Sequence, residues 1–478
     1  MEQFTDSGAT TVVTVVGGGL AGCECALGLA DMGVKVRLFE MRPTATTPAH
    51  RTGGLAELVC SNSLKATRID SAAGLLKAEL RRLGSRLLPL AERASVPAGG
   101  ALAVDREVFS RLVEEEVAAR GNIELVRTEV REVPGEGPVV VAAGPLCSAA
   151  LFSRVEELVG ASRLSFFDAA APIVDACSLD YDKVFAQSRY ERGEGADYLN
   201  CPMDRETYES FVEELVGAER VILRDFERGD LFQACQPVEE VARTGRDALR
   251  FGAFKPVGIV DPATGRRPWA VVQLRKENRD GTAYNLVGFQ TNLTWPEQRR
   301  VFRMIPGLES AEFFRYGVMH RNTFIDSPRC LDSTFALRGD DRVRFAGQIT
   351  GTEGYTEAIA TGRLAALNTF AWLRGESLPP LPATCALGSL VAYATSPETK
   401  DYQPMHANFG LFPALEGRGR MAKRDRYLAY SKRALADLEA WCGGAAQVVP
   451  LPSASEIPSP FDERGAEAVA ASEGEGAR

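Results

Sequence analysis

The sequence lacks the residue spacings that most protein metal sites use. Its ten cysteines are scattered along the chain, no two of them form a CxxC pair, and histidine occurs only three times. The usual zinc-ribbon and thioredoxin motifs are therefore excluded. With so few histidines there is also little room for a histidine-based centre, and we predict no metal site.

Long apolar runs are also missing. No stretch reaches the roughly 18 to 20 apolar residues that span a bilayer. The opening residues, MEQFTDSGATT, have neither the basic nor the apolar region of a signal peptide. We therefore expect a cytoplasmic protein without a membrane partner. Its thiols should be reduced, so that a cysteine is more often packed or catalytic than bridged.

Basic residues are not in excess. Lys and Arg number 55 against 64 Asp and Glu, which gives a formal charge of −9. This balance excludes a histone-like nucleic-acid binder, whereas local basic stretches that contact RNA are compatible with it. The 45% of hydrophobic residues in 478 positions suffice for a large core, and for more than one.

What the sequence does contain is a complete βαβ pattern near its start. TVVTVV at 11–16 is a β-branched apolar run, GGGLAG follows at 17–22, and a helical stretch ends near Gly33. VKVRLFE at 34–40 then predicts a second strand that ends on an acid. A long loop with two prolines and two glycines occupies 41–64, and a loop of that length inside a domain is usually functional.

The glycine-rich turn of this unit matches the dinucleotide fingerprint GxGxxG. Because it lies between a predicted strand and a predicted helix, its backbone amides can face a pyrophosphate. Glu40, at the end of the second strand, can accept hydrogen bonds from ribose hydroxyls. The residues predicted to bind the cofactor here are Gly17, Gly18, Gly19, Leu20, Ala21, Gly22 and Glu40.

Two further segments favour FAD over NAD as the tightly held cofactor. VVVAAGP at 139–145 is a strand that ends in a small-residue turn, and RVRFAGQITGTEG at 342–354 is a late strand followed by glycines and a helix. A late segment that returns to the first βαβ unit is typical of two-domain flavoproteins. These segments add Gly144, Gly347, Gly351 and Gly354 to the predicted FAD site.

The pattern along the chain predicts an α/β protein, with a Rossmann-type FAD-binding domain and an inserted α+β domain. The first part of the FAD-binding domain is placed at 1–170, its second part at 331–450, and the inserted substrate domain at 171–330. The segment 451–478 is rich in Ser, Pro, Glu and Ala, and we expect it to be disordered.

Two cysteines lie in distinctive surroundings. Cys60 is in AELVCSNSLKA after the long loop, and Cys235 is in DLFQACQPVEE. An apolar-flanked cysteine is usually a packing residue. The SNS that follows Cys60 offers helix-capping groups, and a thiol near a helix start would be acidified as a nucleophile requires.

At these residues the sequence resembles the FAD- and folate-dependent tRNA (uracil-5-)methyltransferases, the TrmFO family. The resemblance runs from about Val13 to about residue 412 and covers long stretches. They include GGGLAG, VRLFEMRP, TPAHRT, AELVCSNSLKA, SVPAGGALAVDRE, FKPVGIVDPATGRRPWAVVQLR, NLVGFQTNLTW and FAGQITGTEGYTEA. The cysteine-centred stretches separate this family from the flavoproteins that modify the tRNA wobble uridine.

The resemblance implies a reductive methylation of RNA. Methylenetetrahydrofolate supplies the one-carbon unit, NADPH or NADH reduces FAD, and the acceptor is carbon 5 of a uridine in the tRNA T-loop. Cys60 and Cys235 match the cysteines that are considered catalytic in the family. Cys235 would add to carbon 6 of the uracil, while Cys60 would assist near the flavin as a base or transient adduct partner.

Three alternatives stay open at this point. The same chemistry could act on a ribosomal RNA uridine, since the motifs do not distinguish that acceptor. A simple FAD-dependent reductase or monooxygenase would need the glycines and Glu40 but not both cysteines. An RNA-binding module with a structural FAD would bind RNA without either thiol.

Basic and aromatic residues of the inserted region are candidates for RNA contact, although each alone is more often a solvated surface group. His50, in TPAHRT, is the histidine expected to approach the flavin or folate, and a structural role in the loop is an equal alternative. The RNA candidates are Arg267, Trp269, Arg275, Lys276, Arg279, Arg299, Arg300, His320 and Arg321.

Overall fold

The computed structural model describes residues 11–47, 49–160, 164–169, 171–191, 196–221, 236–400, 402–416, 421–457 and 459–461. Cys235 therefore lies outside the described residues, directly before Gln236 in the sequence. The first residues of the predicted tail are folded, because Nη1 of Arg82 donates to the carbonyl of Pro452 at 2.8 Å. Folded residues thus continue past residue 450, after which the composition predicts disorder.

The described residues form 17 strands and 13 α-helices. The strands are β1 Val12–Val16, β2 Lys35–Phe39, β3 Ser63–Ala66, β4 Ser95–Val96, β5 Ala101–Val104, β6 Ile123–Val126, β7 Val139–Val141, β8 Leu164–Ala169, β9 Ile173–Asp175, β10 Phe185–Ala186, β11 Tyr198–Met203, β12 Ala270–Lys276, β13 Ala283–Leu286, β14 Phe313–Arg315, β15 Met319–Phe324, β16 Ala336–Leu337 and β17 Asp340–Phe345. The helices are α1 Leu20–Asp31, α2 Ala72–Leu83, α3 Leu87–Arg93, α4 Arg106–Ala118, α5 Ala149–Val159, α6 Arg205–Gly217, α7 Val238–Arg243, α8 Ala248–Phe251, α9 Trp295–Phe302, α10 Ser327–Cys330, α11 Tyr355–Leu373, α12 Ala386–Thr395 and α13 Lys423–Ala445.

The first sheet has the order β16-β17-β7-β1-β2-β6. Strand β1 pairs in parallel with β2 on one side and with β7 on the other, so the predicted βαβ unit is confirmed. Strands β17 and β6 extend the parallel sheet outward, and β16 closes one edge in antiparallel orientation. Because the strand order reverses at β1, a crevice opens at the carboxyl ends of β1 and β7, where such folds bind nucleotides.

Helix α1 is buried on every side because it packs between this sheet and α11. Two glycines make the contact close enough. A Cβ on Gly362 would lie 2.3 Å from the carbonyl oxygen of Ala21, and a Cβ on Gly22 would lie 1.8 Å from that of Gly17. Burial raises the pKa of the thiols of Cys23 and Cys25, which are packing residues on α1.

The second sheet is antiparallel and has the order β10-β11-β12-β13-β9-β14. It has its own core, in which Phe254 and Phe289 stack with ring centroids 5.0 Å apart and Phe302 meets Phe289 edge-on at 5.1 Å. The chain enters and leaves this region through β8 and β15, which pair with each other in antiparallel orientation. The predicted fold class, a Rossmann-type α/β domain with an inserted α+β unit, is confirmed.

The second sheet contacts the loop that carries Cys60. Nε of Arg275 on β12 donates to Oδ1 of Asn62 at 2.9 Å, and the hydroxyl of Tyr198 on β11 donates to the carbonyl of Ala98 at 2.9 Å. These polar contacts place residues of the inserted region against the loop before β3 and against the turn between β4 and β5. In the described part of the chain, every helix is too short or too polar to cross a bilayer.

Candidate active site

A cleft opens at the carboxyl ends of β1, β2 and β7, where the topology predicts it. It encloses about 950 Å³ of empty space, part of it open to solvent, which is the size of a typical cofactor site. We call it the dinucleotide cleft. Its lining includes Gly17, Gly19, Glu40, Gly144, Gly347 and Tyr355.

The residues of the glycine-rich turn fall into two groups, those that line the dinucleotide cleft and those that do not. Gly17, Gly19, Leu20 and Ala21 line the cleft, whereas Gly18 and Gly22 lie behind it. A Cβ on Gly19 would meet nothing within 4 Å, so the space in front of this residue is free for a ligand. Helix α1 begins directly after Gly19, and no side chain caps its first amides. These amides fit a pyrophosphate group.

The carboxylate of Glu40 is already held by several donors. Oε2 accepts from the amide of Gly18 at 3.0 Å and from Nη2 of Arg42 at 3.1 Å. Oε1 accepts from the amide of Arg42 at 2.9 Å and from its Nε at 2.8 Å. Nη1 of Arg42 reaches a second carboxylate, Oε2 of Glu57, at 2.8 Å. The predicted ribose acceptor is thus one half of a buried ion pair.

Electrostatics keep this acceptor charged. Burial alone would raise the pKa of Glu40, but the hydrogen bonds and the charge of Arg42 outweigh it, and the pKa falls below its ordinary value. The two side chains are 5% and 2% exposed. A ribose hydroxyl would therefore donate to a carboxylate that is charged, held in place and already hydrogen-bonded to Arg42.

The late glycines also fall into two groups. Gly144 and Gly347 line the dinucleotide cleft, and both have a positive φ, of 69° and 81°. Gly351 and Gly354 are absent from the lining. A Cβ on Gly351 would lie 2.4 Å from the hydroxyl oxygen of Tyr402, so this glycine makes room for a packed ring rather than for a ligand.

Cys60 lies at the edge of the dinucleotide cleft. Its backbone amide donates to the hydroxyl oxygen of Tyr355 at 2.7 Å, and its carbonyl accepts from Nη2 of Arg106 at 3.3 Å. The preceding carbonyl, of Val59, accepts from Nη2 of Arg315. Both Val59 and Tyr355 line the cleft, and Cys60 itself is half-buried.

The expectation that Cys60 precedes a helix was wrong. Strand β3 follows it, and the serines of SNS bond within their own turn, with the Ser61 hydroxyl accepting from the amide of Ser63 at 3.2 Å. The nearest helix, α2, begins only at Ala72 and is capped by Ser71. The short run SLKA pairs with β5, so tertiary pairing overrides the local helical signal.

The charge near Cys60 comes from arginines instead of a helix. Arg106, Arg275 and Arg315 are buried or nearly so, and they surround Glu277, whose pKa burial raises. Burial, with the charges of Arg106 and Arg51, lowers the pKa of Arg315 to about 10. Three guanidiniums stand against the carboxyl groups of Glu277 and Asp105, so arginines outnumber the acids in this cluster.

The sequence prediction missed several residues of this site. Arg42 and Tyr355 were inside quoted motifs, VRLFEMRP and GTEGYTEA, but no spacing rule assigns them a role. Cys147 also lines the cleft. His50 lines the cleft too, and its Nδ1 lies 2.6 Å from the hydroxyl of Thr47 in the same loop. Within the described ranges no group of three or more His, Cys, Asp or Glu side chains is arranged to hold a metal.

The candidate RNA residues differ in exposure and in their partners. Arg275 is 7% exposed and bonded to Asn62, so its prediction as an RNA contact was wrong. The ring of Trp269 lies 3.6 Å from the guanidinium of Arg250 and 5.3 Å from that of Arg205.

The other candidates differ in how far their charge is neutralised. Arg300 is paired with Glu297 and Glu214, whereas Arg299 is exposed and makes no ion pair with a described residue. Arg267 and Arg279 are exposed, and Lys276 is half-buried. The side chains of His320 and Arg321 lie outside the described part of the structure.

Comparisons with known proteins agree with this architecture. The model of the family "Glucose inhibited division protein A" matches residues 12–377. A protein of Geobacter sulfurreducens named "Methylenetetrahydrofolate--tRNA-(uracil-5-)-methyltransferase TrmFO" is 57% identical over 432 residues, which are 90% of this chain and 99% of that protein. A protein of the same name from Heliobacterium modesticaldum is 55% identical over 427 residues, or 89% of this chain and 97% of its own.

Solved structures support the fold alone. The structure of Aquifex aeolicus GidA in its form II crystal superposes with a TM-score of 0.66 at 15% identity, covering 93% of this chain and 75% of that one. The form I crystal gives a TM-score of 0.64 at 16% identity.

Proposed function

The chain belongs to the glucose inhibited division protein A family and to the TrmFO proteins, and on this basis we propose that it methylates carbon 5 of a uridine in tRNA with methylenetetrahydrofolate as the one-carbon donor. The acceptor is a T-loop uridine and the product is 5-methyluridine. NADPH or NADH is the reductant, and the protein acts in the cytoplasm.

One observation carries the proposal beyond similarity of sequence. Cys60 is bonded through its amide to Tyr355, a lining residue of the dinucleotide cleft. A simple FAD reductase would need the cleft but not a thiol fixed at its edge. The adjoining contacts of Arg106 and Arg315 hold the backbone on both sides of that thiol.

The residues of the dinucleotide cleft fit FAD. The open space at Gly19 and the uncapped amides of α1 would receive the pyrophosphate, and Glu40 would lie by the ribose. Gly144 and Gly347 would allow close approach on the opposite wall. When bound and reduced, FAD supplies the electrons for the reaction and carries the one-carbon unit.

The two cysteines would divide the work on the uracil ring. Carbon 5 of uracil is a poor nucleophile until a group adds at carbon 6, and a thiolate both adds readily and leaves readily. We assign this addition to Cys235. When carbon 5 has bonded to the donated carbon, removal of the carbon 5 proton releases that carbon from its carrier as an exocyclic methylene, and we assign this removal to Cys60. A hydride equivalent, which the reduced cofactor would supply, would convert the methylene to a methyl group as the carbon 6–sulfur bond breaks and the thiolate leaves.

The chain around Cys235 is anchored on both sides. The amide of Val221 donates to the carbonyl of Asn292 at 2.8 Å, and the amide of Val238 donates to that of Gln290 at 2.7 Å. Buried Glu239 holds the same stretch by accepting from the amide of Asn292 at 2.7 Å and from the hydroxyl of Thr291 at 2.9 Å. Val221 and Val238, the described residues on either side of Cys235 in the sequence that make these bonds, are thus held by one stretch of the inserted domain.

The test is incubation of the purified, FAD-loaded protein with methylenetetrahydrofolate, NADPH and unmodified tRNA, followed by nucleoside analysis. We expect 5-methyluridine in the tRNA and none when the folate is omitted. A parallel reaction with ribosomal RNA separates the two acceptors. Flavin reduction without 5-methyluridine in either RNA would contradict the proposal and favour the simple reductase.

A further inference from the structure

Three aromatic rings are stacked in a row on the inserted domain. The rings of Phe313 and Tyr316 lie 5.1 Å apart at 17°, and those of Tyr316 and Trp295 lie 5.5 Å apart, also at 17°. Trp295, at the outer end of the row, is 58% exposed. In the described part of the chain no further ring stacks on Trp295. The row therefore ends in a large aromatic ring at the surface.

The row is held by one buried amide. Gln298 on α9 is fully buried, and its Nε2 donates to the carbonyls of Leu293 at 2.8 Å and Gly317 at 2.9 Å. Its Oε1 accepts from the amide of Gly317 at 2.7 Å. This clamp ties the start of α9, which carries Trp295, to the turn after Tyr316. Such a fixed ring loses little conformational entropy when it binds a partner.

The charge beside Trp295 fits a nucleic acid. Arg299 lies one helical turn after Trp295, so the two share a face of α9. Its neighbour Arg300 is neutralised by Glu297 and Glu214, whereas Arg299 is exposed and unpaired among the described residues. An exposed aromatic ring with an uncompensated guanidinium nearby is the combination that binds single-stranded nucleic acid, the ring to a base and the cation to a phosphate.

The row is also next in sequence to a residue that contacts the loop of Cys60. Arg315 directly precedes Tyr316 in the sequence. Its guanidinium donates to the carbonyl of Val59, the residue before Cys60. On the other side, the amide of Thr294 donates to the carbonyl of Glu219 at 3.0 Å. Tyr316 therefore follows directly after the arginine that contacts the loop before Cys60.

We propose that Trp295 and Tyr316 form a stacking platform for an unpaired base of the RNA substrate, with Arg299 on an adjoining phosphate. This inference rests on the proposed function, because it takes the substrate to be RNA. A target base must leave its stack to reach a catalytic cleft. The platform receives a base next to the target and holds the opened loop in place.

The experiment measures binding of an unmodified tRNA T-arm hairpin to the FAD-loaded protein by fluorescence anisotropy. Three variants are compared with the wild type: Trp295→Ala, Trp295→Phe and the control Tyr181→Ala. Tyr181 is 53% exposed on the same domain and belongs to no stacked pair of described rings. Loss of one stacked base should weaken binding roughly 10- to 100-fold.

We expect that loss for Trp295→Ala, with unchanged FAD content and NADPH oxidation. Trp295→Phe should keep most of the affinity because it keeps a ring, and it also shows that the position tolerates substitution. The hairpin should quench the tryptophan emission of the wild type, and Trp295→Phe should remove that quenching. Tyr181→Ala should bind as the wild type does.

Unchanged hairpin affinity in Trp295→Ala would overturn the inference. If Trp295→Ala instead changes the oligomeric state and leaves RNA binding intact, this surface contacts a second copy of the protein. The outcome is separable from that of the proposed function. If the wild type fails to methylate but binds the hairpin through Trp295, the function fails and the platform stands. If methylation succeeds and Trp295→Ala binds normally, the platform fails alone.

Discussion

The backbone amide of Cys60 donates a 2.7 Å hydrogen bond to the hydroxyl oxygen of Tyr355, which lies 295 positions later in the sequence. Through this bond the loop before β3 is attached to the first residue of α11, at the edge of the dinucleotide cleft. The position of the thiol therefore depends on an element from the far end of the FAD-binding fold.

Tyr355→Phe should loosen this attachment. The amide of Cys60 loses its acceptor, which costs on the order of 1 kcal/mol for a partly buried group. A displacement of the thiol by about 1 Å can lower the rate of the reaction roughly 100-fold. We expect methylation to fall by about 10- to 100-fold while the flavin spectrum is kept. The comparison is Tyr393→Phe, whose hydroxyl oxygen also accepts from an amide, that of Gln403 at 3.4 Å. Equal activity of the two variants would show that the bond does not position Cys60.

Gly19→Val should give a colourless protein. The glycine has an extended backbone, and a Cβ there meets no protein atom within 4 Å, so valine clashes only with a ligand in the cleft. Flavin content after purification, read from the absorption spectrum, is the measurement. Gly121→Val is the matched control, because its Cβ also meets nothing within 4 Å but Gly121 lies before β6. A full flavin spectrum in Gly19→Val would place FAD elsewhere.

Charge reversal on α9 should distinguish two neighbouring arginines. Arg299→Glu removes an unpaired cation and should weaken tRNA binding and reduce the slope of log affinity against log salt by about one. Arg300→Glu should change that slope less, because Glu297 and Glu214 already neutralise Arg300. Titrations at several salt concentrations provide the slopes. The assignment fails if Arg300→Glu has the larger effect.

A buried carboxyl predicts a pH dependence of stability. Glu79 on α2 is 1% exposed and accepts from the amides of Ala386 and Leu387 at 2.6 and 2.9 Å, and burial raises its pKa from 4.5 to about 7. The folded state therefore holds a proton that the unfolded chain releases. This contribution is fully present below pH 4.5 and is lost as the pH rises through 7.

Glu79→Gln should remove that dependence. We expect the difference in melting temperature between pH 5 and pH 8 to shrink relative to the wild type, by an amount equivalent to about 1 to 3 kcal/mol. The exposed residue Glu398 provides the control substitution, Glu398→Gln. An unchanged pH profile in Glu79→Gln would mean that Glu79 is ionised in the folded protein.

The sequence was a good guide to the nucleotide-binding half of the molecule. The Val-rich strand, GGGLAG and the helix after it are adjacent in the chain, and local pattern alone determines the turn at Gly17 and Gly19. The late strand and helix were also found, because their small residues mark a tight turn. Gly351 and Gly354 were included for the same reason, but they do not line the cleft, and a Cβ there would meet Tyr402 and Glu357.

The contacts that shape the chemistry could not be predicted in this way. Arg42 is two residues from Glu40, but its pairing depends on a loop that folds both into the interior. The strand after Cys60 forms because β5 pairs with it, and β5 is about 40 residues away. Arg275 is a residue type that usually lies at the surface, but here it is buried and bonded to Asn62, which comes from the loop before β3. Each of these depends on long-range packing that no local pattern records.

The measurement that tests the central claim most directly is covalent trapping with an RNA hairpin that contains 5-fluorouridine at the target position. Fluorine on carbon 5 cannot leave as the proton does, so the adduct at carbon 6 persists. We predict a stable complex with the wild type, none with Cys235→Ala, and a complex without methylation activity with Cys60→Ala. Mass spectrometry should place the adduct on Cys235. An adduct on Cys60 would reverse the two roles, and methylation that survives both substitutions would contradict the account.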